Sequence, residues 1–131
     1  MGYHGRSVLL VPFVLPLLIA AAPAPETITG EVVDTTCYLL HGGRGPEHRD
    51  CALTCVKAGS PAAILDEKTG RLVFALAPGS ADSHHGKRPD EALLPYVGKR
   101  VRVTGLTVTR GGVTAIVIEK VAEAPPVPVR K

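Results

Sequence analysis

The last two strand-like segments, Lys99 to Thr109 and Val113 to Val121, place the strongest constraint on how this chain can fold. Val101 and Val103 alternate strictly with polar residues, and Leu106 and Val108 take up the pattern past Gly105. Successive side chains on a strand point to opposite faces, so this alternation describes a strand with one covered face. Arg110-Gly-Gly112 turns the chain, and the returning arm is apolar on both faces from Ala115 to Ile118. A strand without a polar face has to be buried on both sides, so its sheet is closed on itself or covered.

Three further segments read as strands. Thr27 to Asp34 is rich in β-branched residues, with Gly30 marking a bulge or bend. Ala62 to Asp66 and Arg71 to Ala77 flank Glu67-Lys-Thr-Gly70, a hairpin signal. Thr35 to Leu40 is a second apolar patch whose type the pattern leaves open, and His41-Gly-Gly-Arg-Gly-Pro46 is a flexible connection. Pro46 suits a first helical turn, Glu47 and Asp50 complement the positive end of the helix dipole, and Gly59 stops the chain before Pro61. A helix is therefore expected from about Pro46 to Ala58. Pro78 to Arg88 reads as a polar loop, and Pro89 to Leu94 as a short helix ended by Pro95 and Gly98. Five strands, a cysteine-bearing helix after the first and a short helix between the third and fourth match the OB-fold plan, a five-stranded barrel plugged by a helix. The expected class is mainly β, with one or two short helices.

The N-terminus sets the compartment. Met1 to Ser7 carries Arg6 as its one basic residue and no acid, and Val8 to Ala22 is an almost unbroken apolar run interrupted by Pro12 and Pro16. About 15 residues is short of the ~20 that a membrane-spanning helix needs, and the basic start, apolar middle and small-residue end describe a secretory signal. Residues 1–24 are read as that signal, 25–124 as a single OB-like domain and 125–131 as a frayed tail. Pro23 and Pro25 obscure the cut; uncleaved, the segment would serve as an anchor. The expected location is periplasmic or secreted.

With Arg6 removed, 14 basic residues face 12 acidic ones, too even a balance to argue for a polyanion. Tyr38, Phe74 and Tyr96 are the aromatics past the signal and Trp is absent, so a base-stacking surface is poorly supplied and no nucleic-acid partner is expected.

What remains is the cysteines. Cys37, Cys51 and Cys55 are the three in the chain, and His48 precedes them as His48-x2-Cys51-x3-Cys55. At 100° per residue, His48, Cys51 and Cys55 fall within roughly 60° of one another on a helix, flanked by Ala52, Val56 and Ala58, so the cysteine face is expected to be the apolar face. Each cysteine singly could be core filler. Three with a histidine, and with Cys37 brought near from the end of the first strand, form a Cys3His donor set suited to tetrahedral Zn or, through its thiolates, to Cu(I). The second reading is a disulfide: Cys37 to Cys51 or to Cys55 closes a loop of about 14 or 18 residues, worth on the order of 3 kcal/mol. That leaves an odd thiol. Thiol redox chemistry is weaker, since Cys-x3-Cys lacks the thioredoxin spacing although His48 could activate Cys51.

The mature chain also resembles small exported bacterial proteins of unassigned function that share Gly-x-Val-Val-Asp-x-x-Cys, His-x2-Cys-Ala-x2-Cys-Val and Gly-Lys-x-Val-x-Val-Thr-Gly. The matching stretches are Gly30 to Cys37, His48 to Val56 and Gly98 to Gly105. The resemblance implies a fold and carries no activity.

Other polar residues are secondary. His84 and His85 read as solvated loop residues, His41 as an alternative fourth ligand, Asp34 as a strand terminator that could also orient a ligand histidine, and Lys99, Arg100 and Arg102 as a solvated strand face. The sequence thus points to an exported, non-catalytic soft-metal-binding protein using Cys37, His48, Cys51 and Cys55. A disulfide-stapled module contacting an envelope protein is the alternative.

Overall fold

A computed structural model describes residues 1–2, 23–77, 79 and 88–125. The apolar leader, His84 and His85, and the last residues of the tail lie outside this set. The strands are β1 (Glu26–Asp34), β2 (Ala62–Asp66), β3 (Leu72–Leu76), β4 (Arg100–Arg110) and β5 (Val113–Glu123). They close in the order β1-β2-β3-β5-β4, an OB-fold-like barrel in which β3 and β5 run parallel and every other neighbouring pair is antiparallel.

Closure depends on β1 serving two partners. Its later half pairs with β2, Gly30 to Asp34 against Asp66 to Ala62, and its earlier half with β4, Glu26 to Glu31 against Gly105 to Arg100. Gly30 sits where the two ladders overlap, and a Cβ there would lie 2.2 Å from the carbonyl oxygen of Leu65. Gly105 does the same for β4, where the register against β5 shifts between Thr104 and Gly105 and a Cβ would meet the Val117 carbonyl oxygen at 2.0 Å. Only glycine lets the strands bend this tightly.

The interior is filled by Val32, Ile64, Val73, Val101, Val103 and Ile116, each at most 3% exposed, with Val101 and Val103 inward as the alternation of β4 predicts. On β5, Ala115 and Ile116 are buried while Val117 and Ile118 are half-buried, so both faces are covered as expected. Two further segments join this core. Leu93 comes from a 3-10 segment, Glu91–Tyr96, that runs through Pro95 instead of stopping at Leu94, and Val97 is the residue that caps it. Ala52 and Val56 come from α2 (Arg49–Lys57), which follows a 3-10 turn at Pro46–His48.

The patch of open type is a helix, α1 (Thr35–His41). Asp34 is its N-cap, accepting from the amides of Thr36 at 3.2 Å and Cys37 at 3.0 Å. Gly42 ends it at φ 68°, its amide on the Tyr38 carbonyl and that of Gly43 on the Cys37 carbonyl. No helix among the described residues is long and apolar enough to cross a membrane.

Candidate metal centre

Both helices lie in the connection from β1 to β2, whose ends, Asp34 and Ala62, are paired across the ladder. The connection is pinned at its base. Thr35 donates from both its amide and its hydroxyl to the carbonyl of Pro61, each at 3.0 Å, and the amide of Ser60 donates to the Cys55 carbonyl at 3.0 Å. The start of α1 is thereby held against the end of α2, and Cys37 faces the flank of α2 that carries Cys51 and Cys55.

The three sulfurs lie within 4.8 Å of one another, and Sγ of Cys37 is 3.6 Å from Sγ of Cys55. No cysteine is bonded to another. Burial is graded: Cys37 is buried, Cys55 half-buried and Cys51 exposed, so the cluster is sealed on the barrel side and open to solvent on the other. The cysteines thus form a partly buried site at the edge of the expected apolar face. Ala52 and Val56, the neighbours of the cysteines on the wheel, fill the barrel mouth, and the thiols fall on the adjoining edge toward α1. Small Ala52 and branched Val56 let the helix axis approach the sheet, and Arg49 completes that approach, its stem packed on Gly98 and its Nε donating to the Val97 carbonyl at 3.2 Å.

Asp34 is the polar centre of the arrangement, with 1% of its surface exposed. Besides the two amides of α1 it accepts from the hydroxyl of Ser60, which also contacts Thr36 Oγ1 at 2.8 Å. Burial pushes the Asp34 carboxyl up, but hydrogen bonds from the Cys37 thiol, Ser60 and the two amides outweigh it and hold the group below its ordinary value. The same contact acts oppositely on Cys37: the Asp34 carboxylate, then Cys55 and burial, push its thiol far up. Asp34 therefore does more than end a strand, and it orients a cysteine instead of a histidine.

His48 is not among the residues whose ligand atoms converge. Its ring packs on Gly43, where a Cβ would stand 2.4 Å from Nε2, and Nε2 is a buried side-chain atom without a hydrogen-bond partner. His41 sits exposed in the last turn of α1, where the helix dipole favours a basic residue.

Arg88 and Asp90 were not legible as part of this region. Arg88 donates at 2.5 Å to the carbonyl of Val56, which also accepts from the Gly59 amide, and at 2.8 Å to that of Ser60, so it reaches the last turn of α2 and the link beyond it, and it pairs with Asp90. Asp90 in turn accepts from the amide of Ala62 at 2.6 Å. Arg-x-Asp next to a proline is the one local hint, and nothing in it names a helix thirty residues earlier.

Comparison with protein-family models, curated proteins and solved structures finds no match to this chain. The reading of the site therefore rests on its residues.

Proposed function

We propose that this chain is an exported protein that holds a soft metal ion, Zn(II) or Cu(I), through Cys37, Cys51 and Cys55, with His48 as the fourth donor. The observation that carries it is the convergence of three unbonded thiols from two helices within 4.8 Å. Tetrahedral zinc with Zn–S bonds of about 2.3 Å sets sulfurs roughly 3.8 Å apart, and the Cys37 to Cys55 separation of 3.6 Å is already at that spacing. A soft cation also answers the chemistry of Cys37, whose proton a metal displaces.

His48 supports the set in a different way. A buried ring nitrogen without a partner costs about 1–3 kcal/mol, and Nε2 of His48 is in that state. It precedes Cys51 by three residues at the start of α2, and turning its ring off Gly43 would give the unpartnered nitrogen a use. The role is binding, with the barrel as a rigid support.

The deciding experiment reduces the protein anaerobically, strips it with chelator and titrates it with Zn(II) and Cu(I), measuring bound metal and free thiols together. One equivalent bound with protection of three thiols is the expected result. No uptake of either ion by the fully reduced protein overturns the reading.

A further inference from the structure

Cys37 and Cys55 are the pair in the cluster whose sulfurs are in direct contact. They sit 18 positions apart on separate helices, with sulfurs 3.6 Å from each other. Cys51 and Cys55 lie one turn apart on α2, where both Cα–Cβ bonds tilt toward the helix N-terminus and stay on divergent lines. A crosslink between Cys37 and Cys55 asks only that the sulfurs approach to about 2.05 Å, a movement that two side chains share without unwinding a helix.

We infer that Cys37 and Cys55 form a reversible disulfide that excludes the metal ion, making the cluster a redox-gated site in which crosslink and metal are alternative occupants. This rests on the metal reading above. A disulfide sulfur has no thiolate charge to offer, so oxidation leaves Cys51 and His48, two donors where a structural site uses three or four. In the other direction, a bound ion ties up both thiolates and removes the nucleophile that oxidation requires.

The co-reactant is an external disulfide, R–S–S–R. Cys55, half-buried and reachable, attacks it as the thiolate and releases one RS⁻, leaving Cys55 in a mixed disulfide. Cys37, buried with its sulfur 3.6 Å from that of Cys55, is the resolving sulfur: it attacks Sγ of Cys55 as its proton passes to the departing second RS⁻. The protons of both protein thiols end on the two released RSH molecules. Two protein thiols are oxidised by two electrons and one external disulfide is reduced, with Cys51 left as the free thiol.

The test treats reduced, metal-free protein with oxidised glutathione, with and without prior loading by Zn(II), then counts thiols and maps peptides. One free thiol per chain, a Cys37–Cys55 peptide, slower oxidation after loading and no Zn(II) uptake by the oxidised form are expected. Cys51→Ser should give the same crosslink and Cys55→Ser should not. A crosslink to Cys51, a crosslink between two chains, or undiminished Zn(II) uptake by the oxidised protein would overturn the gate. The thiol count needs no metal, so the readings separate: reduced protein that takes up no metal removes the metal reading and the gate together, and a Cys37–Cys55 crosslink would then mark a plain staple.

Discussion

Arg88 and Asp90 meet through two hydrogen bonds, Nε to Oδ1 at 2.9 Å and Nη2 to Oδ2 at 2.8 Å, while the same guanidinium holds the carbonyl end of α2. The cysteine-bearing helix is thus fastened to the amide of Ala62 on β2 through a single acid. Asp90 is the buried member of the pair, and removing it leaves the buried Ala62 amide without its acceptor and the half-buried Arg88 without its counter-charge. Asp90→Ala should therefore lower unfolding free energy by about 2–4 kcal/mol, read by denaturant titration. A loss below ~0.5 kcal/mol, the size of an ordinary surface change, would show that the clasp is not holding the helix.

Acid should act through the same residues. Burial alone would raise Asp90, but the Arg88 guanidinium and the Ala62 amide outweigh it, and Asp34 is likewise held below its usual value by its donors. A carboxyl depressed in the folded state stabilises fully above its unfolded pKa of ~3.9, and that contribution is lost as pH falls through the folded value. Thermal midpoints should hold between pH 5 and 7 as far as these two groups are concerned, then fall below about pH 4. Asp90→Asn should make that fall shallower, and an identical slope would assign the acid sensitivity elsewhere.

Two glycines should differ in how much they lose on replacement by alanine. At Gly105 the added methyl meets backbone, the Val117 carbonyl at 2.0 Å, so Gly105→Ala should cost more than ~2 kcal/mol through a forced shift of the β4–β5 ladder. At Gly43 it meets the His48 ring, a side chain that can turn away, and Gly43→Ala should stay within about 1 kcal/mol of the parent. Metal affinity should be retained or strengthened in Gly43→Ala if His48 is a ligand. A weakened site would argue that the ring is needed where it stands.

Cys51 separates binding from stability. It is exposed, so Cys51→Ser should change unfolding free energy by less than ~0.5 kcal/mol. Metal affinity, measured by competition with a chromophoric chelator, should fall by at least about a hundredfold, beyond the loss typical of a ligand's supporting partners. Unchanged affinity would remove Cys51 from the donor set.

Most of the barrel was readable in the sequence because its information is local. Val101 and Val103 alternate as a strand must, Ala115 to Ile118 are apolar on both faces as an enclosed strand must be, and Ala62 to Asp66 is bounded as expected. α1 was not assigned, since Thr35, Thr36 and the apolar Tyr38 to Leu40 pull toward strand, although Asp34 and Gly42 are ordinary helix ends. The convergence of Cys37 with Cys51 and Cys55 was legible in part. Their place at the edge of the apolar face was not, because Ala52 and Val56 win the barrel contact through shape, which a count of apolar residues on the wheel does not capture. Arg88 and Asp90 lay beyond reach because their partners are separated from them by almost the whole hairpin.

The double pairing of β1 has a consequence for when the molecule can exist. Residues 26–31 find their second partner at 100–105, so the sheet keeps an open edge until the fourth strand has been made, and β5 follows before β3 is covered. A chain that stops short of β5 exposes the unpaired backbone of β3 and β4, including the apolar run Leu72 to Leu76, which is the kind of edge that templates aggregation. The barrel is closed only once β5 has joined both β3 and β4, so protection of its strand edges comes with the last strand.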